Sequence, residues 1–353
     1  MKVVSWLESI RRSFAQKRRR ATCSPIGRIE KLEDRTLLSS APVAHLLKDV
    51  EPDGDGNPNY FTAVGNNVFF QAQTESEGNE LWVTDGSTAG THLVKDIRDG
   101  TASSTPAQLL EHNNLLFFRA DDGAGYGVWR SDGTEAGTFR LLSGQGSSIE
   151  SLTVYGSKVL FAKSWEIWET DGTVTGTQLR GTRNASSSGF LLSGDRLYYT
   201  SASSSTYGSE LYSFDLSTNT ESLVKDIYSG SNSAYPSYLV DFDDTLYFRA
   251  RQSNSDYRIW KSDGTSSGTT AVYDPSGSNN LYGPYAVANN RVYFGEDVSA
   301  SGSDNGEKLR AITSGGNVSS ISHVGDVRDK AIVGGTLFFE GGGTLYEVLN
   351  NGV

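Results

Sequence analysis

An aromatic-rich triplet recurs seven times in the chain, and this repetition constrains the fold more than any other feature. Successive copies start 48, 43, 38, 49, 46 and 45 residues apart. A period of about 40–45 residues is typical of the four-stranded blades of a β-propeller. We therefore predict an all-β fold, a seven-bladed β-propeller of four-stranded antiparallel blades, over residues 44–353. The triplets are Val68-Phe69-Phe70, Leu116-Phe117-Phe118, Val159-Leu160-Phe161, Leu197-Tyr198-Tyr199, Leu246-Tyr247-Phe248, Val292-Tyr293-Phe294 and Leu337-Phe338-Phe339.

Each repeat unit divides into four predicted strands. In the first unit, the first strand ends in a turn at Gly65-Asn66, and the aromatic triplet that follows is the second strand. Asn and Gly in this position favour a tight hairpin. The third and fourth strands are predicted over residues 80–84 and 91–97. Composition supports an all-β chain, because Gly is abundant (39 of 353 residues) and 38 residues are aromatic.

A turn of the form Asp-Gly-Thr-x-x-Gly-Thr joins the third and fourth strands in four units. Its Asp can accept hydrogen bonds from backbone N–H groups, and its Gly residues can adopt positive φ. A Trp three residues earlier offers an apolar face to the neighbouring blade. Because a catalytic residue is needed once and this motif occurs four times, we interpret it as structural. Its residues are Trp82, Asp85 and Gly86; Trp129, Asp132 and Gly133; Trp168, Asp171 and Gly172; and Trp260, Asp263 and Gly264.

On these motifs, the units resemble the ELWxxDGT repeat family of bacterial surface proteins. The match is strong in units one, two, three and five, and it degrades to Leu211-Tyr212-Ser213-Phe214-Asp215-Leu216 in unit four. The resemblance implies a β-propeller-like architecture and a surface setting. It implies no reaction.

Residues 1–43 differ in charge from the rest of the chain. They contain ten Lys or Arg and four Asp or Glu, whereas the whole chain has a net charge of −11. Within them, residues 29–39 resemble the LEPR-XLL segment of many planctomycete surface proteins, with Asp34 where that family usually has Pro. The resemblance implies an exported or surface protein, so we predict a mostly disordered leader over residues 1–43. The acidic remainder argues against nucleic acid or an anionic membrane as partners, and no apolar run approaches the roughly 18 residues of a membrane helix.

The two ends of the repeat region suggest how a ring would close. The last unit stops after its third strand, and residues 44–50 closely parallel the fourth strand at 91–97. We therefore predict that residues 44–50 supply the outer strand of the seventh blade. Such closure would remove an exposed sheet edge.

Sequence motifs for catalysis are few, so we predict a protein that is not an enzyme. The four histidines, His45, His92, His112 and His323, are scattered, and no nucleophile elbow or phosphate loop occurs. The single Cys excludes an intrachain disulfide framework. Because propeller glycosidases use paired carboxylates, facing Asp or Glu residues remain an alternative that sequence spacing leaves open.

One polar segment has oxygen-bearing residues at alternate positions. Asp53, Asp55 and Asn57 resemble the start of a calcium loop, although Pro58 falls where an EF-hand requires Gly. We predict at most a modest stabilisation by calcium and no other cofactor. The alternative interpretation is a solvated polar loop.

The predicted topology places two sets of loops on one face. These loops join the fourth strand to the next blade and the second strand to the third, and they contain aromatic residues beside Asn, Ser and Asp. Such a surface suits sugar or peptide binding, although several tyrosines could instead pack between blades. The candidate ligand-binding residues are Tyr126, Tyr207, Tyr235, Tyr257 and Tyr282.

These observations predict a secreted or cell-surface propeller, monomeric, that serves as a binding or structural module for a protein or polysaccharide. The alternative is a carbohydrate-directed propeller, either a lectin or a glycoside hydrolase. A hydrolase requires a deep central pocket with two facing carboxylates, about 5–10 Å apart. A binding module requires aromatic grooves instead.

Overall fold

The computed structural model describes residues 44–144, 148–184, 189–202, 204–275, 281–297, 307–323, 327–333, 335–341 and 344–348. These residues form β-strands joined by turns and loops. The predicted leader at 1–43, with its LEPR-XLL-like segment, lies outside them. Within the described ranges, no helix is long and apolar enough to span a membrane.

The strands form seven successive antiparallel sheets, and within each sheet the strands pair in chain order. The first three sheets are β1 (Asn59–Val64), β2 (Asn67–Thr74), β3 (Gly78–Thr84) and β4 (His92–Lys95); β5 (Ala107–His112), β6 (Leu115–Asp121), β7 (Tyr126–Ser131) and β8 (Phe139–Ser143); and β9 (Ile149–Tyr155), β10 (Lys158–Lys163), β11 (Glu166–Thr170) and β12 (Gln178–Thr182). The next two are β13 (Leu191–Ser193), β14 (Arg196–Thr200), β15 (Leu211–Asp215) and β16 (Thr220–Lys225); and β17 (Ser237–Phe242), β18 (Thr245–Ser253), β19 (Asp256–Ser262) and β20 (Thr270–Tyr273). The last two are β21 (Leu281–Ala288), β22 (Arg291–Asp297), β23 (Glu307–Thr313) and β24 (Val318–His323); and β25 (Val327–Val333), β26 (Thr336–Gly341) and β27 (Thr344–Glu347).

This arrangement confirms the predicted β-propeller, with each sheet forming one blade, numbered here 1 to 7 in chain order. The first strands of neighbouring blades contact one another, as β1 does with β5 and β17 with β21. The first strand of each blade therefore lies towards the centre, and the fourth strand lies outside. The loops that connect strands at the two ends of each blade are thereby separated onto two faces.

The hydrophobic core lies between blades rather than within them. In the described residues, each of six apolar clusters joins two successive blades, from blades 1 and 2 to blades 6 and 7. The triplets supply both sides, because successive strand residues point to opposite faces of a sheet. Phe118 packs against blade 1, whereas its neighbour Phe117 packs against blade 3. Each blade thus depends on its neighbours to cover its apolar faces.

The repeated turn is a closed network of short hydrogen bonds. In blade 2, Asp132 Oδ1 accepts from the Thr134 backbone N–H at 2.9 Å and from its hydroxyl at 2.7 Å. The Gly137 N–H donates to Thr134 Oγ1 at 3.0 Å, and the Thr138 hydroxyl lies 2.7 Å from that of Ser131. The same pattern occurs in the turns of blades 1, 3 and 5.

Both glycines of this turn are required by its geometry. Gly133 has φ +94°, and a Cβ there would lie 3.5 Å from Phe69 of the preceding blade. Gly137 has no positive φ, but a Cβ there would lie 2.1 Å from Asp132 Oδ1. The second glycine therefore allows the backbone to approach the carboxylate that organises the turn.

Blade 4 retains the carboxylate although its sequence departs from the motif. Asp215 Oδ1 accepts from the Ser217 N–H at 2.9 Å and from the Ser217 hydroxyl at 2.5 Å. The turn is shorter, and Asn219 has φ +56°. Blade 4 thus keeps one part of the motif, a carboxylate followed two residues later by a hydroxyl, although the rest of the motif is absent.

Residues 44–50 lie against blade 1 without forming the predicted strand. They make no β-ladder, and the seventh sheet contains the three described strands β25–β27. Val50 packs on the cluster of Phe70 and Trp82, as Ile97, at the equivalent repeat position, packs between blades 1 and 2. Residues 44–50 therefore supply apolar cover to blade 1 in the way that the residues around β4 supply it to blade 2.

A lysine makes the same link at three places around the propeller. Lys48 Nζ donates to the Thr91 carbonyl of blade 1 at 2.7 Å, Lys95 Nζ to the Thr138 carbonyl of blade 2 at 3.2 Å, and Lys225 Nζ to the Thr269 carbonyl of blade 5 at 2.7 Å. Each lysine precedes the blade on which it acts. Lys95 and Lys225 tie the repeated turn of one blade to the fourth strand of the blade before it, and Lys48 ties the turn of blade 1 to the segment at residues 44–50.

Substituting Gly137→Ala is expected to lower the free energy of unfolding by about 1–3 kcal/mol, because the new methyl group would displace the Asp132 carboxylate. Gly54→Ala is the matched control, since a Cβ there meets only Glu51 at an ordinary 3.4 Å. Chemical denaturation of both variants measures the difference. Equal stability of the two variants would contradict the role of the second glycine.

Substituting Val50→Ser is expected to destabilise the protein by about 1 kcal/mol, because it removes apolar cover from blade 1. Leu46→Ser is the control, because Leu46 lies in the same segment with 83% of its surface exposed. Thermal melts compare the two variants with the parent chain. A melt of the Val50 variant that coincides with that of the Leu46 variant would show that the segment does not contribute to the core.

Candidate functional site

The loops predicted to share one face do meet there. In the loop between β4 and β5, the Ser104 carbonyl accepts from the Asp121 N–H at the end of β6, and the Thr105 N–H donates to the Asn79 carbonyl in β3. In the loop between β16 and β17, the Ala234 carbonyl accepts from the Arg251 N–H near the end of β18. We call this side the loop face. The repeated Asp turns lie at the opposite ends of the strands.

Buried glutamates fix the longest loops of the loop face. Glu80 is fully buried, and it accepts from the Ile97 N–H at 3.2 Å and the Ser104 N–H at 2.9 Å. Glu210 holds the corresponding loop of blade 4 through the N–H groups of Ile227 and Tyr228, both at 3.1 Å. Burial raises the pKa of each glutamate to about 7, despite these donors. Both glutamates therefore organise loops.

A cavity of about 660 Å³ opens on the loop face at the seam between blades 4 and 5. The start of β13 and the end of β14 form one side, and the start of β17 forms the other. Tyr235, Tyr238 and Tyr257 line it together with the guanidinium-bearing Arg249, and Thr200, Ser209 and Ser237 add short polar groups. Tyr235 and Tyr238 are each 48% exposed. The blade 4–5 pocket thus combines accessible aromatic rings with one cation.

Arg249 is held by aromatic rings and not by carboxylates. Its guanidinium carbon lies 3.8 Å from the centre of the Tyr257 ring and 5.8 Å from that of Tyr238. Its Nε is buried without a hydrogen-bond partner, and among the described residues Arg249 forms no ion pair. Stacking leaves the in-plane N–H donors of a guanidinium free to bind a ligand.

The two exposed tyrosines of the pocket sit on backbone with positive φ, +48° for Tyr235 and +55° for Tyr238. Thr105 in blade 2 shares the conformation of Tyr235, with φ +46°, and Gln108 shares that of Tyr238, with φ +54°. The second of these conformations belongs to a bulge in the first strand of both blades. The strain is therefore part of the repeat, and the corresponding bulge of blade 1 also carries a tyrosine, Tyr60, with φ +56°.

The structure separates the five predicted ligand-binding tyrosines. Tyr235 and Tyr257 line the blade 4–5 pocket, whereas Tyr207 lies outside its lining and is 38% exposed. Tyr126 packs on Arg119 in blade 2, with its hydroxyl 3.1 Å from Thr105 Oγ1. The backbone of Tyr282 lies in β21, but its side chain lies outside the described part of the structure.

Sequence reasoning missed Tyr238 and Arg249. The available signal was the residue directly after each aromatic triplet, which is Arg in units two and five only. Arg119 and Arg249 occupy this position, and both stack on the tyrosine three residues before the motif Trp. The pattern indicates an Arg–Tyr pair, but it does not show which pair borders a cavity.

The predicted calcium residues share a smaller cavity of about 190 Å³ near the start of blade 1. Asp53, Asp55 and Asn57 line it with Glu51, and all three are exposed. In the described residues, no group of three or more His, Cys, Asp or Glu side chains is placed to hold a metal ion. The calcium site therefore remains a prediction from the sequence.

The buried carboxylates of the described residues all have structural partners. Glu80 and Glu210 accept from loop N–H groups, Glu169 is paired with Lys158 and Arg180, and Glu296 is paired with Arg310. None of them lines the blade 4–5 pocket. A pair of carboxylates facing each other across a substrate cleft, as a glycoside hydrolase requires, is not formed by these four residues.

No protein-family model and no curated protein sequence matches the chain. Among solved structures, it is similar to that of a prolyl endopeptidase, with 10% identity and a TM-score of 0.52 over 82% of this chain and 49% of the other. It is also similar to BamB from Moraxella catarrhalis (13% identity, TM-score 0.45, 80% of each chain) and to an oligogalacturonate lyase in complex with manganese (12%, 0.48, 64% of this chain and 67% of the other). The chain spans about half the length of the prolyl endopeptidase. At such identities the likeness concerns the fold alone.

The raised pKa of Glu80 predicts a pH dependence of stability. Between about pH 4.5 and 7 this glutamate ionises in the unfolded chain before it does so in the folded one, so the free energy of unfolding falls as the pH rises through this window. Glu80→Gln removes the group, and we expect its loss of stability over this window to be smaller than the parent's by about 1–3 kcal/mol. Denaturation at several pH values measures both slopes. The exposed Glu135→Gln is the control, and a Glu80 variant with the parent's slope would contradict the assignment.

Proposed function

We propose that this chain is a non-enzymatic binding propeller that takes its ligand in the blade 4–5 pocket. The observation that carries the proposal is the pocket itself, a 660 Å³ cavity lined by exposed Tyr235 and Tyr238 beside Arg249. Ligand sites are typically concave and aromatic, with a few polar groups that fix orientation. A rigid scaffold that presents such a site on loops is a common arrangement for recognition.

The chemistry of the pocket supports binding over catalysis. Its described lining contains hydroxyl groups and one guanidinium, and it contains no His, Cys, Asp or Glu that could transfer a proton near neutral pH. The buried glutamates elsewhere are held by loop N–H groups or by cations. A lectin-like role accounts for the aromatic lining better than a hydrolase does.

The partner that we propose is a polysaccharide at the cell surface, with a surface protein as the other candidate. The exported setting rests on the LEPR-XLL-like segment at residues 29–39 and on the resemblance to surface repeat proteins. The net charge of −11 weakens binding to nucleic acid and to anionic membranes.

The test is a glycan and polysaccharide array probed with the full chain and with the Tyr238→Ala variant. We expect saturable binding to at least one glycan, and a loss of roughly tenfold or more on truncating Tyr238, because it removes an exposed aromatic face of the pocket. The array is run with calcium and with a chelator, which also tests the predicted loop at Asp53, Asp55 and Asn57.

Tyr207→Ala is the matched control, because Tyr207 is an exposed tyrosine of the same face that does not line the pocket. It should bind as the parent does. Saturable binding that Tyr207→Ala weakens and Tyr238→Ala leaves unchanged would place the site elsewhere. An array without any saturable signal would reject the polysaccharide and leave the surface protein as the partner to pursue.

A further inference from the structure

The charge of the blade 4–5 pocket is opposite to that of the molecule. The chain contains 42 Asp and Glu residues against 31 Lys and Arg. Nevertheless, no acidic residue occurs in the described lining of the pocket, and Arg249 is the one cation in it. In an acidic protein, a cavity that contains a guanidinium and no carboxylate attracts an anion.

Arg249 has no polar partner among the described residues, whereas its equivalent in blade 2 and its neighbours in blade 5 do. Its equivalent in blade 2, Arg119, donates to the Ile149 carbonyl at 3.4 Å, and Arg251 donates to the Ser233 carbonyl at 2.8 Å. Arg258 and Arg310 form ion pairs with carboxylates. Arg249 is half-buried and its Nε is buried without an acceptor, which is costly, and an anionic ligand would supply acceptors to its remaining N–H donors.

The ring of Tyr257, 3.8 Å from the guanidinium carbon, fixes the plane of Arg249. A guanidinium stacked in this way presents two parallel N–H donors at its edge, which match the two oxygens of a carboxylate. The pocket further offers the exposed rings of Tyr235 and Tyr238. A flat aromatic face suits the apolar C–H face of a sugar ring.

We propose, on the basis of the binding function above, that the pocket recognises a uronate-containing polysaccharide. The C6 carboxylate of one hexuronate residue pairs with Arg249, and the sugar ring lies on the tyrosines. Arg249 is then the residue that determines specificity for acidic over neutral sugars.

The backbone of the pocket favours a sugar over the carboxylate terminus of a peptide. Peptide termini are typically captured by free backbone N–H groups. Here the N–H groups of Ala234 and Tyr235 both donate to the Ser209 carbonyl, and the Thr200 hydroxyl donates to the Pro236 carbonyl. These donors are already used, so the pocket offers aromatic faces, the guanidinium and hydroxyl groups of its lining.

The test uses pairs of oligosaccharides that differ only at C6. Calorimetry on the full chain compares cellohexaose with its C6-oxidised form, and galacturonate and mannuronate hexamers with their methyl esters. We expect at least one uronate to bind at least tenfold more tightly than its neutral counterpart, with an affinity that falls as salt is raised. Arg249→Gln should weaken binding of that uronate by about 10- to 100-fold and weaken binding of the neutral sugar much less.

Two further variants separate the guanidinium fork from charge and from folding. Arg249→Lys keeps the charge but not the paired donors, so it should recover only part of the affinity. Arg119→Gln removes the equivalent arginine of blade 2, and it should bind uronates as the parent does. A thermal melt of each variant verifies that it is folded.

Several results would overturn the proposal. Neutral sugars that bind as tightly as their uronates, in a manner that Tyr238→Ala abolishes, would retain the binding function and reject the acidic specificity. Preference for sulfated sugars over all uronates would reject the carboxylate. Failure of every uronate to bind would reject the proposal, whereas the array with Tyr238→Ala decides the binding function independently.

Discussion

Apolar packing between neighbouring blades is the constraint on which the structure depends. Each aromatic triplet sends successive side chains to opposite faces of its sheet, so a blade alone would leave large apolar surfaces in water. The Asp turns and the lysines bonded to them lie where one blade meets the next, as Gly133 does against Phe69. The repeated Asp turn, the clearest motif in the sequence, therefore joins neighbouring blades. The loops of the opposite face, the loop face, differ in sequence from blade to blade.

On the loop face, two buried glutamates hold long loops in a fixed conformation. Glu80 lies near the start of β3 in blade 1 and Glu210 directly precedes β15 in blade 4, and each accepts from N–H groups of the loop that leads to the next blade. The loop anchored by Glu210 continues directly into Tyr235 and the start of β17. A buried carboxylate in blade 4 thus positions one wall of the pocket, although it does not line the pocket itself.

The fold could be predicted from the sequence because its signals are local and repeated. An aromatic triplet about every 45 residues and a turn with a fixed set of hydrogen-bond donors are compatible with few folds other than a β-propeller. The site could be predicted only in part. Tyr126 and Tyr257 occupy the same repeat position, and only the structure shows that Tyr257 borders a cavity. The parallel with residues 91–97 predicted residues 44–50 as the outer strand of the seventh blade, but the structure shows no strand there, because strand pairing depends on backbone geometry that the side-chain pattern does not determine.

The comparison of blades 2 and 5 shows how repetition produces a single specialised site. Both blades carry an Arg after the triplet and a Tyr that it stacks on. In blade 2, Thr105 bonds the Tyr126 hydroxyl, and both Gln108 and Arg119 Nη1 donate to the Ile149 carbonyl, although Arg119 Nε, like Arg249 Nε, is buried without a partner. In blade 5, Tyr235 and Tyr238 occupy the positions of Thr105 and Gln108 on the same positive-φ backbone. These two rings make neither of the bonds that Thr105 and Gln108 make in blade 2, and they lie exposed beside Arg249 in the lining of the pocket. In the binding function proposed above, a ligand supplies the acceptors that Arg249 does not find within the protein.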